Sequence, residues 1–192
     1  MTGRIFLLCI GVFVLTACDR VAAPEAQVSE APKLEAPAPD SEPARGFAPV
    51  NEAATAATGE LTVSMMLRMP DAAEADRGAA PTDVLTLRGE TGVLVDAQIS
   101  GTVTPATMVE GQTLRALLGL PVEASQTLVY SVGSETKPES GRGLCGTDTP
   151  AFVVVWEPEG PGETTLKVLG VIGGAPGSAG ARPCPMLEYR RS

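Results

Sequence analysis

Val93-Leu94-Val95-Asp96-Ala97-Gln98-Ile99-Ser100 alternates apolar Val93, Val95, Ala97 and Ile99 with Leu94, Asp96, Gln98 and Ser100. A period of two puts apolar groups on one face and mostly polar groups on the other, which predicts a half-buried strand. Val84 to Arg88 upstream has the same character, and Gly89-Glu90-Thr91-Gly92 between them carries the glycines of a tight reversal. The pair therefore reads as a hairpin.

Working outward, Leu128, Tyr130 and Val132 alternate again, Phe152 to Trp156 and Leu166 to Ile172 are continuous β-type runs, and Met186 to Tyr189 reads as a last strand. In Leu61 to Met69 the methionines would suit a helix, but Val63, Met65, Leu67 and Met69 fit one side of a strand, and a strand is expected. One helix is predicted over Gln112 to Leu118, where Leu114, Leu117 and Leu118 have helical spacing and Gly119 and Pro121 stop the segment. Several strands with Gly/Pro-rich connectors and one short helix point to a mainly β fold, a small antiparallel barrel or sandwich.

Composition divides the chain of 192 residues into three. Residues 60–192 are long enough for one domain with a core. Residues 19–59 are dominated by Ala, Pro, Glu, Ser and Thr and offer little to bury, so 18–59 is expected to be a disordered tether. As a flexible coil that tether would span about 35 Å, and its prolines would stiffen it. Before it, Arg4 and the apolar run Ile5 to Leu15 read as an export signal, too short to cross a bilayer, for which about 20 apolar residues are needed.

Leu15-Thr16-Ala17-Cys18 follows that run, and here the chain resembles bacterial lipoproteins, whose lipobox is Leu-small-small-Cys. The resemblance implies removal of residues 1–17 and acylation of Cys18, so that several acyl chains hold the protein to a membrane facing the periplasm. Cys9 lies inside the apolar run and would leave with the signal. Asp19 resembles an inner-membrane retention signal of the enteric sorting rule, which favours the inner over the outer membrane.

With Cys18 acylated and Cys9 removed, Cys145 and Cys184 remain in an oxidising compartment and are expected to pair. Closing that loop stabilises a fold by roughly 4 kcal/mol in the chain-entropy model. Leu144-Cys145-Gly146, the runs Phe152 to Trp156 and Leu166 to Ile172, Cys184 and Tyr189 together resemble small secreted or lipid-anchored proteins of Gram-negative bacteria, a resemblance that carries over no activity.

The charge balance narrows the partners. Lys and Arg number 14 against 23 Asp and Glu, a formal charge of −9. Nucleic-acid binders need clustered cations, and none occurs here. Anionic lipid would repel this surface, so the lipid anchor, and no basic patch, is the expected membrane contact.

The chain has no histidine. Ser-His-Asp and Cys-His catalysis, the usual catalytic zinc sites and imidazole haem ligation are thereby excluded, and no cofactor or metal is implied. Ser134-Glu135-Thr136-Lys137 matches Ser-x-x-Lys of penicillin-binding proteins and serine β-lactamases, but Pro138 and the glycines beyond it read as a loop, and the companion motifs are missing. The five glycines of Gly170 to Gly180 lack the Gly-Lys-Ser/Thr of phosphate loops. Met65, Met66 and Met69 could offer thioethers to Cu(I), yet a strand would put Met66 opposite the other two, so core filling is the expectation. Asp83, Glu90, Asp96, Glu157 and Glu159 follow no calcium-loop spacing.

Two functions fit. The first is a non-catalytic binding or adaptor lipoprotein whose loops 133–149 and 173–184 contact an envelope protein or small ligand. The alternative is a small envelope hydrolase or lyase using paired carboxylates without histidine.

Overall fold

The alternating segments become strands in the computed structural model, which describes residues 43–158 and 164–192. In chain order they are β1 (Arg45–Pro49), β2 (Leu61–Arg68), β3 (Thr82–Gly89), β4 (Leu94–Val103), β5 (Met108–Val109), β6 (Gln112–Thr113), β7 (Thr127–Thr136), β8 (Phe152–Trp156), β9 (Thr165–Ile172), β10 (Arg182–Pro183) and β11 (Leu187–Arg191). Three short helices accompany them: α1 (Glu52–Ala57), α2 (Ala72–Asp76) and α3 (Leu114–Leu118). Among the described residues no helix is long and apolar enough to cross a membrane.

Between barrel and sandwich, the hydrogen bonds decide for the barrel. Eight strands close in the order β1-β2-β3-β4-β7-β8-β9-β11, every pair is antiparallel, and β11 returns to β1 with Phe47 opposite Arg191. Each barrel strand thus pairs with the strands next to it in the barrel sequence, an up-and-down meander that leaves no open edge. The expected β3–β4 hairpin is present, with Gly89 N–H donating to Val93 O at 2.8 Å. Two register shifts between β4 and β7, at Asp96/Ala97 and Ile99/Gly101, supply extra bend where the sheet must curl.

Two cores follow from the two faces of this wall. Inside the barrel pack Phe47, Leu61, Val63, Leu85, Leu87, Val95, Tyr130, Val153, Val155, Leu166, Val168 and Tyr189, all buried. Outside it, α3 and the β5–β6 hairpin lie against β7, β8 and β9, burying Leu114, Leu118, Val129, Val154, Leu169 and Val171. That second core explains why Phe152 to Trp156 and Leu166 to Ile172 are continuous runs: these strands are covered on both faces. The predicted helix over Gln112 to Leu118 begins two residues later than expected, because Gln112 and Thr113 pair with β5. Thr113 caps it, accepting from Ala116 N–H at 3.2 Å, and Gly119 ends it in the left-handed region at φ 56°.

The boundary expected at residue 60 lies earlier. Arg45 to Ala57, read as tether, form β1 and α1, because Phe47 and Ala54 are apolar enough to be fully buried and β1 is the strand that joins β2 to β11. Asn51 fastens this segment. Its Oδ1 accepts from Ala54 N–H at the start of α1, and its Nδ2 donates to Met186 O at 2.9 Å. Residues 18–42 of the expected tether, with Cys18 itself, lie outside the described residues, as do Cys9 and the export signal.

Candidate functional site

The barrel's two ends differ. At the end where β1 finishes and β2 begins, α1 lies across the barrel, and buried Thr58 Oγ1 shares a 2.7 Å hydrogen bond with Tyr189 Oη. Burial pushes the Tyr189 hydroxyl up to about 12, the bond to Thr58 opposing part of that rise. Leu144 plugs the same end on the loop after β7. Cys145 and Cys184 are joined as expected, and the bridge crosses Gly170 of β9. A Cβ at residue 170 would run into Cys145 Sγ, so glycine is what lets the bridge lie on the strand.

Glu135 holds the loop from inside. Its side chain is fully buried, Oε1 accepts from Leu144 N–H at 2.8 Å, and Lys137 Nζ stands 3.6 Å from Oε2 while donating to Thr147 O.

Among the described residues nothing plugs the opposite end. There a cavity of about 200 Å³ enters the barrel between the beginnings of β1, β3, β7 and β9 and the ends of β2 and β8. Val63, Met65, Leu85, Leu87, Val155 and Leu166 wall it, Tyr130 faces it from β7, and Leu128 stands at its edge. The rim is polar. Arg45 Nη1 donates to both carboxylate oxygens of Glu157, at 2.7 and 2.8 Å, and the two side chains are about a quarter exposed. Arg45 also stands over the Phe47 ring, 5.6 Å from its centre.

A wider groove of about 470 Å³ adjoins the mouth and shares Gln126, Trp156 and Glu157 with the cavity. Glu123, Ser125, Thr165, Lys167 and Glu188 complete its polar lining. Lys167 is tied to the fold: Nζ donates to Leu118 O and Gly119 O, both at 2.9 Å, and lies 5.9 Å from the centre of the Trp156 ring.

No family model, curated protein or solved structure matches this chain. The geometry of the mouth therefore carries the functional argument unaided.

The sequence-predicted groups scatter over the barrel. Ser134 and Lys137 do not form a pair, since Ser134 Oγ donates to Asp96 Oδ2 at 3.4 Å and Lys137 turns to Thr147 and Glu135. The loop expected there is strand β7 as far as Thr136. Of the three methionines Met65 alone lines the cavity, while Met66 and Met69 are exposed and fill no core. Asp96 accepts from Thr86 Oγ1 on the outer wall, Glu90 lies in the turn after β3, Asp83 is exposed, and Glu159 lies outside the described residues. Glu157 is the member of that set that reaches the mouth. Among the described residues no three acidic or cysteine side chains gather as a metal site.

Neither loop 133–149 nor loop 173–184 lines the cavity or the groove. The first closes the far end, and part of the second forms a shallow depression with Met108 and Glu110. Sequence reading missed Arg45, Gln126, Leu128 and Trp156 as a group, because they come from three separate segments, the beginnings of β1 and β7 and the end of β8, and no spacing links the three. The one available signal was Trp156, the chain's single tryptophan, placed at the end of a strand.

Proposed function

We propose that this protein is a membrane-anchored binding domain of the bacterial cell envelope, held through acylated Cys18, facing the periplasm and acting without catalysis. Residues 19–44 carry the domain away from the membrane, and the barrel mouth takes an apolar group of the bound molecule. The observation that supports this is a barrel plugged at one end by α1 and Leu144 and, among the described residues, open at the other into an apolar cavity with a charged rim. Closed barrels of eight strands have interiors just large enough for side chains or one small ligand. Apolar walls with few polar groups at the entrance are the usual make-up of small-molecule sites.

Catalysis by paired carboxylates is the weaker reading. Glu157 has both oxygens bonded to Arg45, and among the described residues no second carboxylate lines this cavity to pair with it.

A photo-reactive amino acid at position 128 in cells tests the proposal, with the same group at position 140 as comparison. Capture of a discrete molecule from position 128 alone supports binding at the mouth. A dominant protein captured from position 140 and nothing from 128 would transfer the function to the loop after β7. Loss of activity in Cys18→Ala, with the fold retained, is expected if anchoring is part of the function.

A further inference from the structure

What enters the barrel must leave its remainder in the groove, because cavity and groove meet at Gln126, Trp156 and Glu157. The two compartments differ in chemistry, one lined mostly by aliphatic and aromatic side chains, the other by three carboxylates, one lysine, an amide and hydroxyls. We infer that together they take an amphipathic organic cation, with an apolar ring or short chain in the barrel and an ammonium or guanidinium group in the groove, and that the Arg45–Glu157 pair sets the charge preference. This inference rests on the binding role proposed above.

Size sets the apolar part. An engineered apolar cavity of about 150 Å³ holds benzene, so the 200 Å³ here accommodates one six-membered ring with a short linker or a branched chain of similar bulk. Charge sets the rest. Glu123, Glu157 and Glu188 line the groove with Lys167, and Arg45 stands on the cavity side of the mouth. Both cations are engaged, Lys167 by the end of α3 and Arg45 by Glu157. Glu123 and Glu188 form no ion pair among the described residues. An incoming carboxylate would have to displace Glu157 from Arg45 and then sit among like charges. An incoming ammonium meets Glu123 and Glu188, which no cation pairs among the described residues, while Lys167 keeps to the Trp156 ring and the end of α3. The net charge of −9 draws cations from a distance as well.

Trp156 is the chain's single tryptophan and lines both compartments, so its fluorescence reports on the site directly. The test uses residues 18–192 carrying Cys18→Ala, the mature chain without its acylation site, so that neither an acyl group nor the apolar run Ile5 to Leu15 calls for detergent. Three probes share one apolar body: 3-phenylpropylamine, 3-phenylpropanol and 3-phenylpropionate, at neutral pH and low salt. The amine is expected to bind about fivefold more tightly than the alcohol and the acid more weakly than either, the size of effect that exposed ion pairs produce. Added salt should narrow that spread.

Glu157→Gln frees Arg45 at the mouth and is expected to invert the order, the acid overtaking the amine. A general loosening of the barrel would weaken all three probes alike. Arg45→Gln serves as the second variant and should widen the preference for the amine. An alcohol bound as tightly as the amine in the parent overturns the cation assignment and leaves apolar binding standing. An order unchanged in both folded variants overturns the role of the pair, and no response to any probe overturns the binding role itself.

Discussion

Gly170 carries the disulfide because it has no side chain. Cys145 and Cys184 meet over β9 at the one position where the strand offers a bare backbone, and Cys184 N–H donates to Gly170 O at 2.9 Å. Gly170→Ala is expected to lower stability by about 1–3 kcal/mol through overpacking. In a protein with both cysteines replaced by alanine the same substitution should cost much less, a coupling that denaturant titration of the four variants measures. Tyr189 gives the second residue-scale prediction. Its hydroxyl is raised from 10.0 to about 12, so below pH 10 folded and unfolded chains both hold the proton and the contribution is complete. Above pH 10 the unfolded chain releases the proton first, and stability falls as pH rises towards 12, by roughly 2–3 kcal/mol in total. Tyr189→Phe loses the Thr58 bond and starts lower, but should show a flatter decline in urea titrations between pH 9 and pH 11.5.

At the scale of the element, α3 is too short to stand alone and survives by its attachments. It has five residues, a Thr113 cap, a left-handed Gly119, buried Leu114 and Leu118, and an ammonium from a neighbouring strand on its last carbonyls. Lys167→Met keeps the aliphatic stem and removes the donor. It is expected to cost about 1–2 kcal/mol and to speed amide exchange in α3 and the β5–β6 hairpin more than in the barrel, which hydrogen–deuterium exchange resolves. The leucine spacing made this helix legible. The two other helices were also marked, though by weaker signs. Asp71 and Glu74 form a capping box at α2, and Asn51 caps α1. Both were overlooked because alanine-rich segments of five or six residues have no apolar period to count.

Closure governs the molecule as a whole. β1 lies between β2 and β11, so residues 45–49 hold the seam of the barrel although they follow a Pro/Ala-rich stretch. Deleting residues 1–42 should leave the thermal transition essentially unchanged, whereas deleting 1–50 removes both ladders and buried Phe47 and should abolish cooperative unfolding. Calorimetry of the two truncations decides it, and equal transitions would contradict the seam. The disulfide and the mouth lie at opposite ends of the barrel. Replacing both cysteines with alanine is therefore expected to lower stability by about 3–4 kcal/mol while leaving Trp156 fluorescence responses to probes intact.

The sequence by itself determined the local structure. Period-two runs, β-branched stretches and the glycine-bearing turn are properties of neighbouring residues, and they specified the β3–β4 hairpin, every wall strand but β1, and α3. The partnership of Cys145 and Cys184 was legible too, from the small number of cysteines and the compartment that Leu15-Thr16-Ala17-Cys18 implies. Only the tertiary structure decided that the sheet closes, because closure depends on Phe47 meeting Arg191 from opposite ends of the described residues, and strand patterns are alike in a barrel and a sandwich. It alone also gathered Arg45, Gln126, Leu128, Trp156 and Glu157 at one rim, since a site made by the tilt and order of strands leaves no spacing in the chain that forms it.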